Sequence, residues 1–275
     1  MNLFAAIILG IVQGFTELFP VSSSAHLVIL QSFLPDFHQP GVAFDATLHL
    51  GTLIAVAFYF RVDIWNMLKS LLPHKSPPTD VPDINDIAFL RKLILFLIIG
   101  TIPAAFFGLL FKDYIHSVFE SAEAAAFFLI ITGFLLFFSD KVKNAWRDER
   151  DMKVADSILI GFAQAVALLP GISRSGATIT AGIFRKLNRP AAARFSFLLS
   201  LPAVCGAVIL ESRYFRQIPP SELWLYFIGF ICAAFAGLVS LKLFFLVIRE
   251  ARLKFFAYYC WIFGIMTLLV KSSFF

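Results

Sequence analysis

The feature that most constrains this sequence is a set of six apolar stretches, each long enough to cross a lipid bilayer as a helix. A transmembrane helix needs roughly 17 to 25 mainly apolar residues. Only 15% of the 275 residues are charged, whereas soluble globular chains carry about 25%. We therefore predict an all-α integral membrane protein whose spans are 43–60, 93–112, 122–138, 194–210, 223–248 and 255–271.

Two further apolar regions are interrupted by polar turns and are not predicted to form single transmembrane helices. In 1–34, an apolar run ends at Phe19-Pro20 and three serines follow. In 154–190, an apolar run ends at Leu169 and a glycine-containing polar turn follows. Irregular backbone at membrane depth occurs only where protein or a wet cavity satisfies it. Each region is therefore predicted to form a re-entrant helical hairpin.

The two hairpin regions are related by a shift of 151 residues. Identical pairs cluster at the polar turns and continue into the next span: Gly10/Gly161, Gln13/Gln164, Leu18/Leu169, Ser22/Ser173, Ser24/Ser175, Phe44/Phe195, Leu48/Leu199 and Leu50/Leu201. We predict a single membrane domain of two repeats, about 1–142 and 152–275, each a hairpin followed by three spanning helices. Because three is odd, the second repeat must be inverted, and such repeats place their site near the midplane where they meet.

Lysine and arginine are concentrated in alternate loops. Segments 61–92, 139–153 and 249–254 are rich in these residues, including Lys75 and Arg249, whereas one intervening loop holds Lys112 and the other holds Arg213 and Arg216. Because positively charged loops stay in the cytoplasm, we predict that both termini lie outside. The first hairpin then enters from the outer face and the second from the cytoplasm. The modest net charge of +5 does not indicate a nucleic acid partner.

The first polar turn combines an acid, hydroxyls and a histidine. Gln13 and Glu17 are four residues apart and share one helix face. An ionisable group within the membrane marks a functional site by default, although Glu17 could also bond a neighbouring helix. Ser22, Ser23 and Ser24 open the next half-helix, where one serine would suffice as a cap. His26 follows within one turn, either as a packing residue or as part of the site.

The second polar turn, Pro170 to Thr178, has the composition of an anion-binding site. Glycines let backbone N–H groups converge, and the following helix adds its positive end. The fork of Arg174 can hold two phosphate oxygens at once. Further donors come from Ser173, Ser175, Gly176 and Thr178. The alternative is that Arg174 forms a purely structural pair, for example with Glu17.

Both turns resemble those of the undecaprenyl-diphosphatase family, bacterial membrane enzymes also called bacitracin-resistance proteins. The resemblance covers essentially the whole chain. It implies hydrolysis of undecaprenyl diphosphate to undecaprenyl phosphate, which recycles the lipid carrier of cell-wall synthesis. It also implies a place in the bacterial cytoplasmic membrane, with the active site open toward the outer face. Gln13 takes the uncharged option at a position where the family has Glu or Gln, and Ser24-Ala25 replaces the more usual Thr-Gly.

The residues suggest roles that fit this reaction. Arg174 would neutralise the diphosphate. Groups of both turns would also bind it, namely Ser22, Ser24, Ser173, Ser175, Gly176 and Thr178. A divalent cation, Mg²⁺ or Ca²⁺, could be held by Glu17 with help from Gln13. His26 could be the nucleophile, or a base that activates Ser23 or water. The implied partners are a polyprenyl diphosphate and membrane lipids, and a homo-oligomer is compatible with the sequence.

Two residues and one rival function remain open at this point. Asp45 and His49 lie at the outer end of the first span, where they could line an entrance or form a rim salt bridge. Inverted repeats are also found in secondary transporters. A transporter or flippase for a phosphorylated lipid or solute would keep Arg174, but it would not need Glu17 beside a histidine and serines.

Overall fold

The computed structural model describes residues 1–34, 37–39, 42–72, 84–119, 121–248 and 252–273. Over these residues the chain forms α-helices and one short 3₁₀ helix, Pro220–Glu222, and apart from an isolated bridge no β-structure occurs in them. The helices are α1 Leu3–Leu18, α2 Ser23–Gln31, α3 Ala43–Tyr59, α4 Arg61–Ser70, α5 Ile84–Leu110, α6 Lys112–Phe119, α7 Ala122–Ser139, α8 Val154–Val166, α9 Arg174–Phe184, α10 Arg189–Phe215, α11 Leu223–Val247 and α12 Lys254–Ser273.

The predicted spans are confirmed, with one qualification. Five helices are long and apolar enough to cross a membrane, namely α5, α7, α10, α11 and α12. The sixth span requires α3 and α4 together, and these two helices are bent by 71° where they join. The sequence prediction treated 61–92 as a loop, but α4 and the start of α5 lie there, because a polar helix end gives no apolar signal. The chain is a multi-pass membrane protein.

The two predicted hairpins are present as the helix–turn–helix pairs α1–α2 and α8–α9, and their turns are built alike. Ser22 caps α2 by accepting a hydrogen bond from the backbone of Ala25 at 3.4 Å, and Ser173 caps α9 through Gly176 at 3.0 Å. The Ser22 and Ser24 hydroxyls lie 3.1 Å apart, and the corresponding serines of the second turn, at 173 and 175, lie 3.2 Å apart. The 151-residue shift therefore relates residues with the same structural role.

Each hairpin packs against a spanning helix of the other repeat, since α1 lies along α11 and α8 lies along α5. Glycines permit both approaches. A Cβ on Gly10 would lie 2.6 Å from the carbonyl oxygen of Gly229, and a Cβ on Gly161 would lie 2.5 Å from that of Gly100. The other long contacts join α3 to α11 and α10, and α7 to α12. The repeats are thus interlocked, and the two polar turns are held in the middle of one bundle.

The exact repeat boundaries and the orientation of the bundle remain predictions. Two of the residues counted for the charge asymmetry, Lys75 and Arg249, lie outside the described residues. The other cations of 61–92 and 139–153 belong to the end of the bundle where α5 and α8 begin. That end is predicted to face the cytoplasm.

Candidate active site

The structure brings the two polar turns into direct contact. The backbone N–H of Gly171 donates to the hydroxyl of Ser24 at 3.3 Å. In the other direction, the Ser175 hydroxyl donates to the carbonyl oxygens of Glu17 and Phe19 at 3.3 and 3.4 Å. The hairpins are more than 100 residues apart in sequence, so only the interlocked repeats place their turns together.

Glu17 is the centre of the polar cluster formed at this contact. One carboxylate oxygen, Oε1, accepts from Nη2 of Arg174 at 2.6 Å. The other, Oε2, accepts from the Ser23 hydroxyl at 2.5 Å and from Nε2 of Gln13 at 3.2 Å. The residue is 8% exposed. A carboxylate in hydrocarbon surroundings is costly unless it is paired, and these donors supply the pairing from both repeats.

His49 joins this cluster, whereas Asp45 does not. Nδ1 of His49 lies 2.9 Å from Nε2 of Gln13 and 3.3 Å from Oε2 of Glu17. The buried carboxylate of Asp45 instead accepts from Nε2 of Gln31 at 2.6 Å. His49 thus pairs with Glu17 and Asp45 with Gln31, and a place of either residue at an entrance stays a prediction. Sequence reasoning noticed His49, but its position on α3 did not show which helix it would face.

His26 points away from the carboxylate. Its Nδ1 lies 2.7 Å from the carbonyl oxygen of Ser22, which can only accept, so Nδ1 carries the proton. Its Nε2 lies 2.7 Å from the hydroxyl of Tyr259, and its ring is nearly parallel to those of Tyr259 and Phe263, with ring centres 5.6 and 4.6 Å away. Its hydrogen bonds within the described residues thus go to these partners and not to Glu17. Its bond to Ser22 stabilises the first turn, where Ser22 has a positive φ of 65°, and the catalytic role of His26 stays a prediction.

Most hydroxyls of the second turn are used to shape it. The Thr178 hydroxyl donates to the carbonyl of Arg174 at 2.8 Å and lies 2.6 Å from the hydroxyl of Ser196. Thr132 donates to the carbonyl of Gly171 at 2.8 Å and accepts from the backbone of Ser173 at 3.0 Å. Thr132 and Ser196 were not singled out from the sequence. The 151-residue shift could have identified Ser196, because it pairs this serine with Asp45, a polar residue that the sequence analysis names.

Arg174 is the cation of the site and begins α9, just as Ser23 begins α2. Besides its bond to Glu17, its Nη1 lies 3.4 Å from the carbonyl oxygen of Ser196. Its side chain is 15% exposed. The positive ends of two half-helices therefore start at the two side chains that contact the same carboxylate. This arrangement suits a polyanionic group such as a diphosphate.

The donor set fits a divalent cation that is shared with a phosphate substrate. Within the described residues no group of three or more His, Cys, Asp or Glu side chains could hold a metal ion by itself. Mg²⁺, however, often uses one or two carboxylates, with substrate phosphates and water completing its shell. Glu17 supplies one carboxylate. Oε1 of Gln13 is a buried oxygen without a hydrogen-bond partner among the described residues.

The chain is similar to known proteins over nearly its whole length. The family model described as "Bacitracin resistance protein BacA" matches residues 6–266. A protein of Syntrophotalea carbinolica named undecaprenyl-diphosphatase is 41% identical over 273 residues, which cover 99% of this chain and all of the relative. Proteins of the same name from Methanobrevibacter smithii and Halothermothrix orenii are 39% and 38% identical, and at least 98% of each chain is covered. The chain therefore belongs to the bacitracin resistance protein BacA family.

Proposed function

We propose that this protein hydrolyses undecaprenyl diphosphate to undecaprenyl phosphate and inorganic phosphate within the membrane. The observation that carries the proposal is the 2.5 Å bond from the Ser23 hydroxyl to the buried carboxylate of Glu17. A transporter that carries a phosphate unchanged needs the cation Arg174, but it has no use for a hydroxyl bound to a base. The relatives named undecaprenyl-diphosphatase support the same reaction and substrate.

Ser23 is the proposed nucleophile and Glu17 its general base. The hydroxyl oxygen of Ser23 attacks the terminal phosphorus, and Oε2 of Glu17 takes the proton. The bond between the terminal phosphorus and the bridging oxygen breaks, and undecaprenyl phosphate leaves. Glu17 then releases this proton to the solvent. Water attacks the phosphorus of the phosphoserine and gives a proton to Glu17, and the bond between that phosphorus and the Ser23 oxygen breaks. Glu17 returns the proton to the Ser23 oxygen, so that inorganic phosphate and free Ser23 are formed.

Arg174 provides the charge stabilisation that phosphoryl transfer mainly demands. A guanidinium carries five N–H donors, so it can hold Glu17 and a phosphate oxygen at the same time. The first residues of α2 and α9 both contact Glu17. The free backbone N–H groups of a helix start favour negative charge nearby. Ser22, Ser24, Ser173 and Ser175 keep these helix starts in place.

A divalent cation would complete the binding of the diphosphate. Glu17 and Oε1 of Gln13 would hold Mg²⁺ or Ca²⁺, and substrate oxygens and water would fill the remaining positions. When bound, such an ion neutralises negative charge on the diphosphate. Because Gln13 is uncharged, most of the electrostatic attraction for the ion would come from Glu17 and the substrate itself.

The charge asymmetry of the loops supports an orientation for this reaction. With the lysine- and arginine-rich loops in the cytoplasm, the α1–α2 hairpin enters from the outer face. The Ser23–Glu17 pair would then receive its diphosphate from the outer leaflet. The undecaprenyl chain would remain among the lipids beside the bundle.

The nucleophile can be identified by trapping the phosphorylated enzyme. Protein purified in detergent would be mixed with farnesyl diphosphate carrying a labelled terminal phosphate and quenched within one turnover. We expect a label on Ser23 that is stable in acid and lost in alkali, as for a phosphate ester of serine, and absent in Ser23→Ala. A label that is labile in acid would instead assign the nucleophile to His26. Phosphate release without any labelled enzyme would assign the attack to water.

A further inference from the structure

A second polar cavity lies at the end of the bundle that carries the 139–153 linker. It has a volume of about 390 Å³ and is lined by Phe137, Asp140, Lys141, Arg189, Arg252, Lys254 and Tyr258. These residues come from the end of α7 and the starts of α10 and α12. None of them belongs to the Glu17 cluster, so the proposed function does not explain this cavity.

The single carboxylate of the cavity is already engaged by the protein. Oδ1 of Asp140 accepts from Nη2 of Arg189 at 2.7 Å and from the backbone of Leu253 at 2.9 Å. Oδ2 accepts from the backbone of Lys254 at 3.1 Å. Asp140 therefore fixes the ends of three helices, and the side chains that line the cavity comprise four cations against one acid. Such a surface attracts an anion.

An aromatic wall continues from the cations toward the membrane. Nζ of Lys141 lies 4.9 Å from the ring centre of Phe137. That ring lies 6.4 Å from Tyr258 and 5.4 Å from Trp261, and the last two rings are 5.9 Å apart. Trp261 is fixed by a hydrogen bond to the carbonyl of Ile130 at 3.1 Å. Aromatic side chains of this kind are enriched where lipid headgroups meet hydrocarbon.

We propose that this cavity binds the phosphate headgroup of an anionic phospholipid, with an acyl chain lying along the aromatic wall. The cations surround the phosphate, and α7 and α12 are membrane spans whose ends place the cavity at headgroup depth. Basic pockets between spanning helices bind anionic lipid headgroups in this manner. A soluble phosphate would use the cations but would leave the aromatic wall without a role. A zwitterionic lipid would bring its own positive charge against the cations.

The test is lipid binding to the detergent-purified full chain, measured by native mass spectrometry. Dioleoylphosphatidylglycerol would be titrated against the wild type and against the triple variant Lys141→Gln, Arg252→Gln, Lys254→Gln. Arg189 is kept because it holds Asp140. One cation near a membrane surface contributes about fivefold to the affinity, so we expect the dissociation constant to rise at least about tenfold. Dioleoylphosphatidylcholine and inorganic phosphate at the same concentrations should bind much more weakly to the wild type.

The matched control removes three exposed cations from the same end of the bundle, through Arg61→Gln, Lys69→Gln and Lys143→Gln. The affinity of this control variant for dioleoylphosphatidylglycerol should change at most about twofold. Equal binding by the wild type and the cavity variant would overturn the proposal, and so would an equal loss in the control variant. Inorganic phosphate that binds as well as the lipid would show a free-anion site instead. Phosphate release from farnesyl diphosphate should be the same in both variants.

A second measurement does not depend on the folding of the triple variant. A photoreactive benzoylphenylalanine at Tyr258 would be activated in nanodiscs of equal parts phosphatidylglycerol and phosphatidylcholine. The same group at Phe227, which is 64% exposed on α11, reports general lipid contact. We expect position 258 to link mainly to phosphatidylglycerol and position 227 to link to both lipids alike. The same lipid ratio at the two positions would refute the proposed site.

Discussion

Replacing Glu17 by glutamine tests the proposed mechanism most directly. The substitution keeps the size of the side chain but removes the charge and turns one acceptor into a donor. Whichever oxygen becomes the amide nitrogen, a donor then faces either Nη2 of Arg174 at 2.6 Å or the Ser23 hydroxyl at 2.5 Å. Both the base and the electrostatic link between the repeats are therefore weakened by one change.

The expected loss can be estimated from these two roles. A positioned general base contributes about 10²- to 10⁴-fold to the rate, and one key electrostatic group contributes about 10²- to 10³-fold. We therefore expect Glu17→Gln to lower kcat at least about a hundredfold in a phosphate-release assay on farnesyl diphosphate. The matched control is Glu123→Gln, because Glu123 also accepts from a serine, Ser121, at 3.0 Å but on an exposed surface. The kcat of this control variant should stay within about twofold of the wild-type kcat.

A double variant shows whether Glu17 and Ser23 act as one unit. If they do, Glu17→Gln combined with Ser23→Ala should be no slower than the slower single variant, since residues that act together are not additive. Unfolding midpoints in detergent would show whether each variant is folded. A Glu17→Gln rate above about a tenth of the wild-type rate, with Ser23→Ala inactive, would refute Glu17 as the base of Ser23.

Three further predictions follow from the same structure. Arg174→Lys should lower the rate at least about a hundredfold, because an ammonium lacks the fork that reaches Glu17 and a phosphate together; near-normal phosphate release would make this arginine a structural residue only. Gly171→Ala should lower the free energy of unfolding in detergent by at least about 2 kcal/mol, because φ is +103° and the added Cβ would lie 2.2 Å from a carbonyl oxygen. A Cβ at Gly206 meets nothing within 4 Å, so Gly206→Ala should leave the stability unchanged. Equal unfolding midpoints for the two variants would contradict the turn geometry. A cysteine at Asn144 should resist membrane-impermeant reagents in intact cells while one at Ser221 reacts, and the opposite pattern would invert the proposed orientation.

The helical hairpins could be predicted because their signals are local. Serines at 22 and 173 follow apolar runs that stop abruptly, and in a membrane an interrupted helix must have its free backbone groups satisfied nearby. Both serines do cap the next half-helix. The 151-residue register then indicated that the turns have equivalent roles. Local chemistry and internal symmetry were together sufficient to predict these two helix–turn–helix pairs, but not the bent α3–α4 pair.

The directions of the histidines could not be predicted from local sequence. His26 faces Tyr259, which is 233 residues away, so its orientation depends on how α12 packs. His49 faces Glu17 because of the way α3 lies against its neighbours. A Cβ on Gly51 would be only 2.5 Å from the carbonyl oxygen of Phe230, and this close approach to α11 sets which face of α3 turns inward. Such contacts between distant helices leave no spacing signal.

The matching starts of α2 and α9 have a consequence for the chemistry of the site. The same 151-residue shift that pairs the capping serines places Ser23 on Arg174. A dimer of identical half-length chains would carry the same residue at both positions, and also at positions 17 and 168, where this chain has Glu17 and Leu168. A hydroxyl and a guanidinium can therefore meet at one carboxylate only because the two halves of this chain differ at both pairs of positions.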